Sequence, residues 1–313
     1  MGESKKIVVI GTGMMGNGIA AVAALAGHNA VLVGTSPEKA TLGVEKAKAC
    51  IDELVANELA DPSIGEAAKP KLSMSPTLDE AVQGADIVIE AIYENMSLKQ
   101  ELFARLDELL PADVPLLSNT SSLPITMIAS KVKRFPERTM TAHFWLPAHL
   151  IPLVEIVMWE KTDEAMALEV KEELAAWGKA PVLVRRDLPG QLGNRIQHAM
   201  IREAVNIVAT GLASPEDVDT CLQMGMGVRL AAWGLMTHID AVGLDLNLTI
   251  QETVLPDLNK DTDNQYLKAL VEAGNLGYKS GKGIYDWSKK DMAALVEKRN
   301  DYIIHALKMV RPK

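Results

Sequence analysis

Residues 7–25 read IVVIGTGMMGNGIAAVAAL, and the change of texture inside that run decides the fold. IVVI is a strand with no polar position, as a strand covered on both faces must be. IAAVAAL is an apolar helix rich in alanine. Between them Gly11, Gly13 and Gly16 fit the spacing G-x-G-x-x-G, with Met14 and Met15 inside the loop. Each glycine has a separate physical reason: Gly11 makes the tight turn, Gly13 lets the backbone approach a pyrophosphate, and Gly16 lets helix and strand pack closely. The helix N-terminus adds partial positive charge. The hexapeptide in this strand–loop–helix setting predicts a dinucleotide site in which Gly11, Gly13, Met14, Met15 and Gly16 line the cofactor.

Working outward, IVVIG is the first of seven strand candidates, followed by AVLVG, ADIVIEAI, VPLLSN, TMTAHF, LVEIVM and APVLVR. Several are apolar at nearly every position, which predicts a doubly wound, mostly parallel α/β sheet of the Rossmann kind. The segment from Pro37 to about Ala60 reads as one long helix, and with DPSIGEAAKPK it forms an excursion rather than a minimal crossover. Beyond RRDLPG only helical signals remain, among them Ser214 as N-cap with Pro215 at the first helical position. The expected division is therefore an α/β domain over 1–187 and an all-α domain over 188–313.

The chain has 313 residues, enough for two cores. Its 41 acidic against 32 basic residues give a net charge of -9, which argues against nucleic acid and anionic membrane as partners. Lys5 and Lys6 before an apolar run imitate a secretion signal, but the glycines interrupt the apolar centre that such a signal needs. A cytoplasmic location is expected. Cys50 and Cys221 lie far apart with no metal-ligand pattern and are read as buried free thiols, and His149, His198 and His238 show no metal spacing either. No metal is expected.

The acidic residue that binds an NAD ribose should end the second strand, and Gly34 stands there, followed by Thr35 and Ser36. Thr35 or Ser36 could hold the ribose of NAD. Alternatively, the missing carboxylate, two hydroxyls and Lys39 could admit the 2′-phosphate of NADP, towards which the balance leans although no Arg is at hand. Loss of binding is the third alternative.

TAHFWLPAHLIPLVEIV carries His143 and, twelve residues on, Glu155, a general base and the carboxylate that would fix its tautomer. With the glycine loop, EAIYENMSLK (90–99), LSNTSSLPIT (117–126), LPGQLGNRI (188–196), HIDAVGLD (238–245) and GYKSGKGIYDW (277–287), the chain resembles the short-chain L-3-hydroxyacyl-CoA dehydrogenase family over nearly its whole length. The resemblance implies NAD(P)-dependent oxidation of a secondary alcohol to a ketone, a helical C-terminal domain that forms a homodimer, and a small-molecule hydroxy or keto substrate. It makes His143 the base and Glu155 its partner. Ser121 and Asn194 become the groups on the reacting oxygen or the catalytic His, while Glu94, Lys99 and Asn119 stand near the cofactor. For Ser121 a helix cap, and for Asn194 a structural amide, are the competing readings.

Two departures concern the substrate. Where the acyl-CoA enzymes usually read HFFNP, this chain reads HFWLP, so Leu146 removes a polar group and Trp145 adds bulk at the expected pocket entrance. CIDELVANELAD, in the excursion that offers basic residues to CoA in those enzymes, carries four carboxylates and no Lys or Arg. IPLVEIV, GLASPEDVD and GMGVR instead resemble the gulonate (lambda-crystallin-like) and carnitine dehydrogenases, and place Arg229 as a candidate for a substrate carboxylate. A surface Arg on a helix end is the alternative for that residue. A small hydroxy acid is the expected substrate, an authentic 3-hydroxyacyl-CoA the rival, and a catalytically silent dinucleotide-binding or structural protein the rival from another class.

Overall fold

The computed structural model describes residues 3–310. All seven expected strands form: β1 (Lys6–Ile10), β2 (Asn29–Val33), β4 (Ile87–Glu90), β5 (Leu116–Ser118), β6 (Thr139–Phe144), β7 (Leu153–Val157) and β8 (Ala180–Val184). An eighth, β3 (Leu72–Ser75), takes one edge of the sheet. Its sequence, LSMS, is short and alternates with serine, so it carries no apolar run to announce it. The strand order is β3-β2-β1-β4-β5-β6-β7-β8, and every pairing is parallel except β6 with β7. The order reverses between β1 and β4, the crevice at which open sheets of this kind bind ligands.

Helices α1 (Met14–Leu25), α2 (Pro37–Ala56), α3 (Pro62–Ala68), α4 (Leu78–Ala81), α5 (Met96–Leu109), α6 (Ile125–Ile128) and α7 (Glu164–Ala176) cover the two faces. Alternation along β1 divides the core: Ile7 and Val9 join α1, α2 and α7 on one side, and Val8 and Ile10 join α4, α5 and α6 on the other. The long excursion is broken into two helices. Asn57 ends α2, and the Asp61 carboxylate accepts from the Ser63 N–H to start α3 with Pro62 in its first turn.

The glycine loop is packed as its spacing requires. Gly11 has φ +122°, and a Cβ there would collide with the Ala91 carbonyl. A Cβ on Gly16 would collide with the Gly11 carbonyl. At Gly13 a Cβ would meet nothing within 4 Å, so this backbone faces open space at the N-terminus of α1, whose first turn holds no acidic side chain.

Contacts divide the chain into a first compact unit through Arg195 and a second from Ile196. Helix α8 (Gly193–Ala209) opens just before that division. The second unit is helical: α9 (Pro215–Cys221), a π-helical turn Leu222–Gly227, α10 (Val228–Leu230), α11 (Leu235–Val242), α12 (Leu244–Val254), α13 (Gln265–Glu272) and α14 (Met292–Val310). Ser214 caps α9 as expected, its hydroxyl accepting from the Asp217 N–H. The cysteines differ from expectation: Cys50 is half-buried, and Cys221, at the exposed end of the short α9, faces solvent. Among the described residues no helix is long and apolar enough to cross a membrane, and no group of His, Cys, Asp and Glu is placed to hold a metal ion.

The loop geometry separates two substitutions. Gly16→Ala should lower the thermal midpoint and abolish the upward shift that a bound dinucleotide gives. Gly13→Ala should keep the wild-type midpoint of the free protein and weaken only the shift on cofactor addition; calorimetry with and without NAD reads both.

Candidate active site

The antiparallel ladder of β6 and β7 sets His143 directly opposite Glu155. Cross-strand partners share a face of the sheet, and here they meet: His143 Nδ1 lies 2.7 Å from Glu155 Oε2. The same oxygen accepts from the Trp145 indole N–H at 2.9 Å, and Oε1 accepts from the backbone N–H groups of Leu192 and Gly193 at 2.9 and 2.8 Å. A carboxylate offers about four lone-pair sites, so the fully buried Glu155 is saturated by four donors. Burial opposes its ionisation, but His143, the Gly193 N–H, Trp145 and the Leu192 N–H together hold its pKa down to about 2. An ionised Glu155 can only accept, so the Nδ1 of His143 carries a proton and Nε2 is left free to exchange one.

A second carboxylate organises the neighbouring loops. Glu90, at the end of β4, and Lys99, in α5, form a buried ion pair at 2.5 Å, with relative exposures of 0% and 1%. Glu90 also accepts from the Ser118 hydroxyl and the Ile92 N–H. Lys99 reaches on to Glu94 at 3.3 Å. Glu94 Oε1 accepts from the Thr120 and Ser122 hydroxyls and from the N–H groups of Ser121 and Ser122. Burial works against that charge, yet the Thr120 hydroxyl, Lys99 and the Ser122 groups bring the carboxyl to about 2. Glu94 therefore clamps the loop that carries Ser121, and Lys99 supports it from within the fold rather than from an open cofactor cleft.

The other candidates fall into place around these two carboxylates. Ser121 is exposed and its hydroxyl has no partner among the described residues; Thr120, not Ser121, accepts from the Leu123 N–H at the turn into α6. The Asn194 amide donates to the Ser121 carbonyl at 3.1 Å, and neither side chain is hydrogen-bonded to His143. Asn119 accepts from the Phe144 N–H at 2.8 Å and ties the ends of β5 and β6 together. Met14 is exposed beside the open Gly13, and Met15 packs against the core. Thr35 is exposed, while the Ser36 hydroxyl caps α2 by accepting from the Lys39 N–H and bonds Glu38. A Cβ at Gly34 would lie 2.8 Å from the Ala40 backbone nitrogen, so the turn leaves no room there for a side chain. Arg229 turns its Nε back to the Gly225 carbonyl at 3.0 Å and leaves the end of its guanidinium exposed.

Sequence reasoning missed the donors from Leu192 and Gly193, the anchor Glu90 and the latch between His149 and Glu53 at 2.9 Å, which joins the loop after β6 to α2. The one signal available for the first was the pair of glycines in LPGQLGN. Gly190 and Gln191 take φ of +79° and +51°, turning the backbone so that two successive N–H groups converge on one oxygen.

Residues 6–188 match the model of the 3-hydroxyacyl-CoA dehydrogenase NAD-binding domain, and residues 190–287 that of the 3-hydroxyacyl-CoA dehydrogenase C-terminal domain. The chain belongs to the 3-hydroxyacyl-CoA dehydrogenase family. It is, with that family, an NAD-dependent dehydrogenase acting on CH–OH groups. Among its relatives is the 5-formyl-3-hydroxy-2-methylpyridine 4-carboxylate 5-dehydrogenase of Mesorhizobium japonicum, 33% identical over 299 residues and 94% of each chain. A probable 3-hydroxybutyryl-CoA dehydrogenase of Bacillus subtilis is 39% identical over 293 residues, 92% of this chain and 99% of the other. Of solved structures, that of the 5-formyl-3-hydroxy-2-methylpyridine 4-carboxylic acid 5-dehydrogenase, described as an NAD+ dependent dismutase, superposes with a TM-score of 0.88 at 31% identity over 99% and 100% of the two chains. The (S)-3-hydroxybutyryl-CoA dehydrogenase of Ralstonia eutropha gives 0.75 at 32% identity over 92% and 100%.

The depressed Glu155 carboxyl has a consequence for acid stability. Its ordinary value is 4.5 and its folded value about 2, so it stabilises the fold above pH 4.5 and loses that contribution as pH falls towards 2. Glu155→Gln should be less stable than wild type by on the order of 3 kcal/mol near neutrality, with the gap closing between pH 4.5 and 2. Urea unfolding across that range measures it.

Proposed function

We propose that this dehydrogenase oxidises the alcohol of a small hydroxy acid, reversibly and without CoA, with His143 as general base. The four-donor seat of Glu155, which fixes the proton on Nδ1 of His143, is the observation that carries the reading. Nε2 of His143 takes the hydroxyl proton, and Glu155 favours the imidazolium that results. The Ser121 hydroxyl donates to the reacting oxygen, and Asn194 positions it through the Ser121 carbonyl. Bound nicotinamide supplies the hydride acceptor. Gly13 opens the cradle for the pyrophosphate, with Gly11 and Gly16 holding its shape.

NAD is the better fit of the two cofactors. The hydroxyl of Ser36, which in sequence favours a 2′-phosphate, is engaged with the Lys39 N–H and with Glu38. Glu38 places a carboxylate one turn beyond β2, and a 2′-phosphate there would be repelled. The structural relative described as an NAD+ dependent dismutase supports the same choice.

For a substrate without CoA, the support is the likeness, at TM-score 0.88, to an enzyme named for a pyridine carboxylate, together with the charge of the excursion. From Glu45 to Lys71 six carboxylates outweigh four lysines. Several of the carboxylates are engaged locally, Asp52 and Glu66 by Lys69, Glu53 by His149 and Asp61 as the α3 cap, so the repulsion of a nucleotide tail is weaker than the sequence suggests. The exposed fork of Arg229 is our candidate for the substrate carboxylate. The rival substrate, a 3-hydroxyacyl-CoA, is favoured by the 39% identity to the Bacillus subtilis protein. A homodimer through the helical unit is proposed from its exposed apolar side chains, among them Leu230, Trp233, Met236, Leu246 and Ile250.

Steady-state kinetics with 3-hydroxybutyrate, a hydroxymethylpyridine carboxylate and 3-hydroxybutyryl-CoA tests this. The free acids should be turned over with kcat/KM at least about tenfold higher with NAD than with NADP. A preference for the CoA thioester overturns the substrate proposal. His143→Gln should lose roughly 10²–10⁴-fold in kcat while still binding NADH.

A further inference from the structure

Among groups near the proposed base, the half-buried Trp145 stands out, because it is hydrogen-bonded to the partner of His143 rather than merely packed beside it. Its indole N–H donates to Glu155 Oε2 at 2.9 Å, on the same oxygen that receives His143 Nδ1. Its ring lies 5.8 Å from the His143 ring, tilted by 47°. The fit depends on Gly193: a Cβ there would overlap the Cζ2 of Trp145, so the residue whose N–H binds Oε1 also clears the space for the indole that binds Oε2.

We propose that Trp145 is a positioning residue for proton transfer: by sharing Glu155 Oε2 with His143 it fixes the plane of the carboxylate and draws off part of the charge that Glu155 presents to the imidazole. The inference rests on the reading of His143 as base and deepens it. Two charge-assisted hydrogen bonds on one oxygen compete for the same electron density, so each is weaker than it would be alone. Removing the indole donor leaves Oε2 to His143, and the protonated imidazole becomes more favoured. No other charged group competes for His143 within hydrogen-bonding reach among the described residues. On the β5 side stand Asn119, Thr120 and Ser121, all uncharged, and Glu94 behind them is bound to hydroxyls, N–H groups and Lys99. On the other side the 188–193 loop carries no charged side chain and contributes backbone N–H groups to Glu155 and the Gln191 amide to the Thr120 carbonyl.

The test follows the His143 imidazole by NMR across pH in the intact protein, its signal identified by its absence in His143→Gln. In Trp145→Phe the midpoint should move up by about half a pH unit. Gly193→Ala, which pushes the indole aside but keeps the backbone N–H, should move it in the same direction and serves if the first variant folds poorly. With 3-hydroxybutyrate as probe, Trp145→Phe should lower kcat roughly two- to tenfold and leave the NADH dissociation constant within about twofold. Unchanged titration in both variants overturns the inference. If His143→Gln retains wild-type turnover, the base assignment itself fails, an outcome distinct from a silent Trp145.

Discussion

The buried carboxylate of Glu155 must be satisfied, and the first unit is arranged around meeting that demand. An ionised group with no solvent exposure is costly unless every lone pair finds a donor. Here the donors come from two regions far apart in sequence: the end of β6 with the residue that follows it, and the turn into α8. Meeting the demand joins those segments, and with the Gln191–Thr120 and Asn194–Ser121 bonds it ties the stretch after β8 to the first compact unit, which runs on through Arg195. The same bonds fix which nitrogen of His143 carries its proton, so one set of interactions serves both the fold and the proposed base.

A second carboxylate repeats the logic on the adjacent strands. Glu90 and Lys99 neutralise one another where neither meets water, and Lys99 leans on Glu94, whose remaining bonds gather Thr120, Ser121 and Ser122. A buried pair of this kind contributes little net stability when intact and costs much when one member is removed. Its effect is positional: the loop bearing the Ser121 hydroxyl, which has no partner among the described residues, is held by charge-assisted bonds instead of being left to sample conformations.

Much of this was legible in the sequence. Runs of β-branched residues announced seven strands because a strand covered on both faces has no polar alternative, and the glycine loop announced the first crossover because two of its three glycines have no room for a Cβ. β3 was illegible because an edge strand with two serines need not look apolar. The pairing of His143 with Glu155 could be proposed from two flanking strand patterns, but the saturation of Glu155 could not, since it depends on backbone N–H groups that every residue possesses. Trp145 reads as bulk in sequence; its donor acts only because Gly193 is bare. Gly34 was legible as a missing acid and not as a crowded turn, and Lys99 lies on the helical stripe of Phe103 and Leu106 in α5, but a lysine on that stripe does not announce which carboxylate it meets.

The antiparallel register of β6 and β7 has an evolutionary reading. His143 and Glu155 face each other through the ladder, so the loop between the two strands does not set their geometry. Between Trp145, tied to Glu155, and the stretch 148–150, buried and latched to α2 through His149, the loop can change while the proposed proton-transfer pair stays in place. Selection can therefore redraw what the enzyme accepts without rebuilding how it reacts, as expected of a scaffold whose relatives are named for substrates as unlike as a pyridine carboxylate and an acyl thioester.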